Sequence, residues 1–217
     1  MDDINNIYDT VIWDFNGTLL DDVGCCIESV NTLLRRRGMK TLDTVADYHA
    51  VFRFPVIDYY RDVGFDIDED GNGYEPIAHE WMREYLARER DIGLYPGAAG
   101  LLAELRDAGL RQILLSATER NMLLSQTGRL GITDLFDAVI GTGDIYAYSK
   151  IDAARKWAEG ADLSRAVMIG DTPHDMETAR ALGVRFCGVS WGHADRSAFS
   201  GVTVFDDIPG IRDYLLK

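Results

Sequence analysis

The chain has 217 residues, of which 47% are hydrophobic, and its formal net charge is −14. This apolar content is enough for a folded core, so extensive disorder is excluded. The acidic balance argues against a nucleic-acid-binding or anionic-membrane surface, because both need clustered lysine and arginine. An acidic protein that binds phosphate must concentrate positive potential locally, through a metal ion, backbone N–H groups and a few cations.

The start of the chain is acidic and polar and lacks a signal-peptide pattern, and no apolar run approaches the roughly 18 residues of a membrane span. The three cysteines, Cys25, Cys26 and Cys187, are odd in number and lack metal-ligand spacing. They are expected to be reduced packing residues rather than a disulfide framework. We therefore expect a cytoplasmic protein with no nucleic-acid or membrane partner, and its oligomeric state stays open.

The first apolar run, at residues 8–15, is β-branched and aromatic, ends in Asn-Gly-Thr, and predicts a buried strand followed by a tight turn. Similar runs predict further strands at residues 111–116, 137–141, 166–170, 184–190 and 202–205. Helical patterns lie between or after them at residues 97–108, 120–130, 151–159, 173–182 and 208–216. This alternation, with continuous apolar strands, predicts an α/β fold with a doubly wound, Rossmann-like parallel sheet.

The stretch from residue 21 to residue 93 breaks the alternation, because it contains helical patterns only. These lie at residues 23–37, 42–52, 55–63 and 74–90. We predict an α/β core formed by residues 1–20 and 94–217, with residues 21–93 as an inserted all-helical cap. An insertion directly after the first strand would lie over the crevice at the sheet edge as a lid.

Polar side chains end three of the predicted strands. Asp14, Ser116 and Asp171 should converge, because ligands bind outside the carboxyl ends of parallel strands. In the motif DFNGT at residues 14–18, residues 14 and 16 project to the same side of an extended chain. Gly17 allows a close turn, after which N–H groups, beginning with that of Thr18, can face an anion. Asp14 is thus a candidate metal ligand or nucleophile, although a simple strand-ending turn is the alternative.

Lysine is scarce, and only four lysines occur, at positions 40, 150, 156 and 217. Lys150 is the preferred candidate for the crevice, because it directly precedes a predicted helix, whereas a lysine one or two turns into the helix, such as Lys156, would usually be solvated. Asp171 and Asp175, four residues apart, end one strand and begin the next helix.

With these four motifs in this order and a helical insertion after the first strand, the chain resembles the haloacid dehalogenase-like hydrolase superfamily. It is similar to the helical-cap branch that includes phosphoglycolate phosphatases, and the resemblance covers nearly the whole chain. The resemblance implies an Mg²⁺-dependent phosphatase that acts on a small phosphorylated metabolite. Asp14 would then be the nucleophile that forms an aspartyl-phosphate.

The resemblance also implies roles for the other motif residues. Mg²⁺ would lie between the carboxylate of Asp14, the backbone carbonyl of Asn16 and Asp171. Asp175 would hold water on the metal or orient Lys150.

The phosphoryl oxygens would be bound by Ser116, by the N–H of Ala117 and by Lys150. Arg53, in a segment that resembles the cap loop of related phosphatases, would meet an anionic group on the substrate or lie on the surface. His193 and His174 are weaker candidates for substrate contacts. The tyrosines and tryptophans are expected to be core residues rather than recognition residues.

Asn16 departs from the family pattern, in which a second aspartate protonates the leaving group and then activates water. An amide has no proton to exchange near neutral pH, and acid–base catalysis contributes about 10²–10⁴-fold. Replacing Asn16 by Asp is therefore expected to raise turnover by about an order of magnitude or more. Deamidation of the Asn16-Gly17 pair would have the same effect in some molecules.

Several functions stay open at this stage. The protein could be a slow phosphatase, or one suited to leaving groups that need little protonation. It could be a binding or regulatory protein derived from an enzyme. A carbon–halogen hydrolase is disfavoured, because it has little use for Asp171 and Asp175, and a receiver-type signalling domain needs no helical insertion.

Overall fold

The computed structural model describes residues 7–146 and 150–217. The polar start of the chain and residues 147–149, which precede Lys150, lie outside the described residues. Within the described ranges, none of the helices combines the length and the apolar character needed to cross a membrane.

A parallel sheet forms the centre of the fold, with its strands in the spatial order β3-β2-β1-β4-β5-β6. Every neighbouring pair is parallel. The strands are β1 (Thr10–Trp13), β2 (Arg111–Glu119), β3 (Ala138–Thr142), β4 (Ala166–Gly170), β5 (Arg185–Val189) and β6 (Thr203–Phe205). The prediction of an α/β fold with a parallel, Rossmann-like sheet is confirmed.

The central strands β1 and β4 are buried along their whole length, because both faces of the sheet are covered. Val11 and Trp13 of β1 belong to the larger hydrophobic cluster, and Ile12 belongs to the other. The alternation of side chains along a strand thus divides consecutive apolar residues between the two faces.

The insertion after β1 contains helical elements. They are α1 (Val23–Arg36), α2 (Val45–Val51), α3 (Val56–Val63) and α4 (Tyr74–Arg88), followed by a 3₁₀ turn at Glu89–Asp91. Helix α2 begins three residues later than predicted, because Thr44 and Asp47 form a capping box there. The larger hydrophobic cluster joins residues of these helices, such as Tyr48, to Trp13 of the sheet, so the division into a core and a cap stays a prediction.

The remaining helices agree with the predicted ones to within one or two residues. They are α5 (Ala98–Asp107), α6 (Arg120–Arg129), α7 (Ile151–Ala158), α8 (Pro173–Leu182) and α9 (Ile208–Leu215). Helix α8 begins with a capping box between Thr172 and Asp175, with Pro173 at its first position. This cap fixes the carboxylate of Asp175 against the carboxyl end of β4.

Strand β2 is longer than predicted and extends beyond Ser116 to Glu119. Its pairing with β3 continues to Thr142 after a shift in register between Leu115 and Glu119. Ser116, Ala117 and Thr118 therefore follow the sheet edge instead of forming a turn, and this brings Thr118 beside the end of β1.

Candidate active site

Asp14 and Lys150 meet at the carboxyl end of β1. The ammonium of Lys150 is ion-paired with the carboxylate of Asp14 and, at 2.5 Å, with that of Asp175. It also donates to the backbone carbonyl of Leu115, 3.0 Å away. Lys150 is 1% exposed, whereas Lys156 is exposed on the outside of α7. The structure thus places Lys150, and not Lys156, at the crevice.

Three buried carboxylates, those of Asp14, Asp171 and Asp175, each offer an oxygen within 4.8 Å of the others. Asp171 accepts hydrogen bonds from the hydroxyl of Thr18 (2.9 Å) and from the backbone N–H of His193 (2.6 Å). Three carboxylates against one ammonium leave a local excess of negative charge. An oxygen-only, anionic donor set of this kind is compatible with a hard divalent cation.

The pKa values of this cluster are shifted by burial and by the charges of its members. Burial, together with the neighbouring carboxylate of Asp175, raises the pKa of Asp14 well above its usual range. Burial also raises the pKa of Asp171. Burial opposes ionisation of Asp175 too, but Lys150 outweighs it and lowers the pKa of that carboxyl. Burial disfavours the charged form of Lys150, yet Asp14 and Asp175 raise its pKa overall, so it stays an ammonium.

The side chain of Asn16 is fixed by partners on both sides. Its amide nitrogen donates to the carboxylate of Asp22 at 2.7 Å, and the hydroxyl of Tyr85 lies 3.4 Å away. Its amide oxygen accepts from the hydroxyls of Thr118 (2.8 Å) and Ser116 (3.4 Å). The amide is therefore the group that suits this position, because a carboxylate here would face the carboxylate of Asp22.

The N–H groups of the turn after Asn16 have protein partners, so the expectation that they face an anion is wrong. The N–H of Gly17 donates to the carboxylate of Asp22 (2.8 Å) and to the carbonyl of Leu20 (3.0 Å). The N–H of Thr18 donates to the carbonyl of Phe15. Gly17 has a φ of 72°, and a Cβ there would lie 2.3 Å from a carboxylate oxygen of Asp171, so both conformation and space require glycine.

Ser116 and Ala117 line the same cavity as Asp14 and Lys150. Ser116 is 2% exposed, and its hydroxyl donates to Thr118 at 3.0 Å while accepting the N–H of Thr118 at 3.1 Å. The structure therefore brings together the side chains predicted at the ends of β1, β2 and β4.

Arg53 lies away from this group. Its guanidinium pairs with the carboxylate of Asp62 at 2.8 Å, and 56% of its side chain is exposed. The neighbouring Phe54 turns inward instead and stacks on the ring of His174, with centroids 4.7 Å apart. The loop does reach the site, but with an apolar ring, so the structure favours the alternative in which Arg53 lies on the surface.

The sequence analysis missed Asp22, which is fully buried between the turn and His193. Burial opposes its ionisation, but His193, Asn16 and Gly17 outweigh it and lower the pKa of Asp22. Burial likewise opposes the charge on His193, whereas Asp22, 3.3 Å from its Nε2, raises the pKa of His193 to about 9. Asp22 directly precedes α1 and looks like a helix cap, yet its side chain makes no cap hydrogen bond, because it points into the site.

All three cysteines lie in the described part of the chain and are free thiols. Cys187 is buried in β5, as expected of a packing residue. Cys26 has a further contact, since its sulfur lies 3.6 Å from the carboxylate of Asp22. Burial raises the pKa of this thiol well above its usual range.

A cavity lies between the helices α2, α3 and α4 and the carboxyl ends of β1, β2 and β4. Asp14, Asn16, Ser116 and Lys150 line its floor. Its upper wall is formed mainly by aromatic residues, namely Tyr48, Phe52, Tyr59, Tyr60, Trp81 and Tyr85. These aromatic rings form the wall of the cavity as well as the core, which corrects the expectation that they serve packing alone.

This arrangement is that of a hydrolase with a doubly wound α/β sheet, a carboxylate cluster at the ends of β1 and β4, and a helical insertion after β1. The profile of the haloacid dehalogenase-like hydrolase family matches residues 11–189, which is most of the chain. The chain belongs to this family, as its motifs predicted.

Individual relatives are similar over most of their length. The phosphoglycolate phosphatase of Caulobacter vibrioides is 28% identical over 194 residues, covering 86% of this chain and 81% of the relative. The tyrosine-protein kinase PtkA of Mycobacterium tuberculosis is 28% identical over 214 residues, covering 94% and 72%. A haloacid dehalogenase-like hydrolase structure from Streptococcus pneumoniae has a TM-score of 0.78, with 19% identity and coverage of 96% and 98%. At that identity the structural likeness concerns the fold alone.

Proposed function

We infer that this protein is a phosphatase that hydrolyses a small phosphate monoester through an aspartyl-phosphate on Asp14. The observation that carries the proposal is the position of the Asp14 carboxylate, which is buried at the floor of the cavity and paired with Lys150. Membership of a hydrolase family, and relatives named phosphoglycolate phosphatase, support this choice of reaction. The free thiols agree with a cytoplasmic location.

In the first step, a carboxylate oxygen of Asp14 attacks phosphorus, and the bond from phosphorus to the ester oxygen breaks. The ester oxygen keeps the electron pair and takes up a proton. In the second step, water attacks phosphorus, and the bond from phosphorus to Asp14 breaks. The carboxylate of Asp14 is restored, phosphate leaves, and solvent takes up the proton that the attacking water releases. Lys150 and Ser116, which flank Asp14, are the groups proposed to bind the transferring oxygens.

A divalent cation, which we propose to be Mg²⁺, fits the anionic oxygen cluster. Asp14, Asp171 and the backbone carbonyl of Asn16 would hold it, and Asp175 would keep Lys150 in place. When bound, the ion supplies the positive charge that lets a dianionic phosphate approach three carboxylates. Residues 21–93 are proposed to act as a lid, because α2, α3 and α4 cover the cavity.

The test is an exchange of carboxylate for amide at Asp14, with the same exchange at Asp152 as a control. The side chain of Asp152 is 97% exposed, at the start of α7. With Mg²⁺ and a general aryl phosphate, Asp14→Asn should release no phosphate above background, while Asp152→Asn matches the wild type. The wild type should also become labelled at Asp14, which peptide mass spectrometry after acid quenching detects. Equal activity of Asp14→Asn and the wild type would rule out the proposed nucleophile.

A second candidate function is favoured by Asn16, since no carboxyl group stands at that position. In that case the protein binds Mg²⁺ and phosphate without turnover and serves as a binding or regulatory protein. Calorimetric binding of phosphate in the presence of Mg²⁺, together with an absence of hydrolysis across a panel of phosphate esters, would select this alternative.

A further inference from the structure

The cavity above Asp14 has walls that suit an apolar, ring-shaped group. Its volume is about 140 Å³. Tyr48, Phe52, Tyr59, Trp81 and Tyr85 contribute ring faces or edges to its wall. Aromatic side chains of this kind favour other rings in stacked or edge-on contact. The part of the substrate that lies beyond the phosphate should therefore be apolar and planar.

The charges around the cavity disfavour a second anionic group on the substrate. Lys150 is ion-paired with Asp14 and Asp175. Both ring nitrogens of His193 are occupied, one by Asp22 at 3.3 Å and the other by the hydroxyl of Tyr48 at 2.8 Å.

The other basic side chains near the cavity are no better placed. The ring of His174 is covered by Phe54, and its Nε2 lies 3.3 Å from the backbone N–H of Lys150. Arg53 points to Asp62. Among the described residues, every basic side chain that lines the cavity is thus already engaged by the protein, and a substrate carboxylate would find no counter-ion there.

The position of Asn16 restricts the leaving group as well. Its amide is held between Asp22 and Thr118, so it supplies no proton when the ester bond breaks. A phenol has a pKa of about 10, so a phenolate leaves without prior protonation far more readily than the anion of an aliphatic alcohol.

We propose that the substrate is a phosphate monoester of a phenolic hydroxyl, carried on a compact aromatic body without a second anionic group. This assignment rests on the phosphatase function proposed above and specifies its substrate class. The carboxylate of Asp14 forms a bond to phosphorus, the bond between phosphorus and the aryl oxygen breaks, and the aryl oxygen departs with the electron pair as a phenolate. Solvent then protonates the phenolate, and water releases phosphate from Asp14.

Three substrates separate the contributions of the body and of the leaving group. Phenyl phosphate and cyclohexyl phosphate have similar size and polarity but differ in the acidity of the alcohol, whereas phosphoglycolate is small and carries a carboxylate. We expect kcat/KM to be lower for cyclohexyl phosphate than for phenyl phosphate by about 100-fold or more, because the leaving group affects only the formation of the aspartyl-phosphate that the two esters share. For phosphoglycolate we expect kcat/KM to be lower than for phenyl phosphate by at least about 100-fold.

The outcomes distinguish this inference from the proposed function. If phosphoglycolate is hydrolysed as efficiently as phenyl phosphate and Asp14→Asn abolishes both reactions, the substrate class is wrong and the phosphatase function stands. If no ester is hydrolysed faster by the wild type than by Asp14→Asn, both proposals are overturned.

Variants of the cavity wall test recognition of the body separately. Met82 also lines the cavity, and Met82→Lys should lower KM for phosphoglycolate and raise it for phenyl phosphate. Asp152→Lys, at a side chain that is 97% exposed, should change neither. A preference for phosphoglycolate that survives unchanged in Met82→Lys would contradict the inferred substrate class.

Discussion

Replacing Asn16 by aspartate should destabilise the protein, because the new carboxylate would face Asp22. The amide nitrogen of Asn16, a half-buried residue, lies 2.7 Å from a carboxylate oxygen of the fully buried Asp22. The substitution exchanges a charge-assisted hydrogen bond for two like charges at the same separation. The expectation from sequence, that this single change restores an acid–base catalyst, takes no account of Asp22.

The size of the effect follows from the distance. At an effective dielectric constant of about 20, two unit charges 2.7 Å apart repel by about 6 kcal/mol. The protein can avoid that cost by keeping one carboxyl protonated, which costs about 1.4 kcal/mol for each pH unit above the ordinary pKa of about 3.9. Protonation therefore limits the loss of unfolding free energy to about 4 kcal/mol at pH 7 and about 1.5 kcal/mol at pH 5.

The sign of the pH dependence is fixed by the direction of the shift. The pKa of the introduced carboxyl is raised by folding, so the variant loses unfolding free energy, relative to the wild type, as the pH rises towards the folded-state pKa. Urea denaturation of both proteins at pH 5 and pH 7, with EDTA present, measures this difference. A loss that is equal at the two pH values, or absent at pH 7, would refute the repulsion between residues 16 and 22.

The paired substitution Asn16→Asp/Asp22→Asn is the matched control. It exchanges the two groups and keeps one amide and one carboxylate, so most of the lost stability should return. The new amide oxygen can still accept from Gly17 and His193, while the new amide nitrogen donates to position 16. We expect a gain in turnover on cyclohexyl phosphate in the paired variant and little or none in Asn16→Asp alone. A larger gain from the single substitution would show that Asp22 does not determine the identity of residue 16.

Three further predictions follow from the geometry. Lys150→Met should lower kcat by about 10²–10³-fold and, in EDTA, should lower the free energy of unfolding by about 3–5 kcal/mol. Lys156→Met should change both little. If the two variants had equal effects on denaturation and on phosphate release, the buried ion pairs of Lys150 would be excluded. Mg²⁺ should raise the melting temperature of the wild type, because it binds the carboxylate cluster of the folded protein, and should not raise that of Asp171→Asn. Differential scanning fluorimetry measures both shifts, and an equal shift in the two proteins would place the ion elsewhere. Thr44→Ala should cost about 1 kcal/mol, because it removes the capping box of α2; an unchanged urea midpoint would show that this cap is dispensable.

Much of the fold could be predicted because its signals are local. Continuous apolar runs identified the strands, and helix boundaries such as the one after Thr172 have a sequence signature. The convergence of Asp14, Ser116 and Asp171 followed from a general property of parallel sheets. The clear error in the sheet was the end of β2, since its extension to Glu119 depends on pairing with β3.

The site itself was only partly predictable. For Arg53, substrate contact and a surface position both stayed open, because the orientation of a loop side chain depends on its surroundings. In the structure Arg53 pairs with Asp62 on the outside, and Phe54 stacks on His174 on the inside. Asp22 could not be identified from its position before a helix, because one of its partners, His193, comes from a distant segment of the chain.

The order of residues alone thus determined the parallel α/β sheet, the helical insertion and the set of groups at the strand ends, because periodicity and turn chemistry act over a few neighbouring residues. Only the tertiary structure decided which partners those groups have. The amide of Asn16 is held by Asp22, the N–H groups of the following turn are satisfied internally, and aromatic rings close the cavity. Some of the contacts at the site, such as those of Asn16 with Thr118 and of Asp22 with His193, join residues far apart in the chain. The energies of all of them depend on distance and burial, which exist only once the chain is folded.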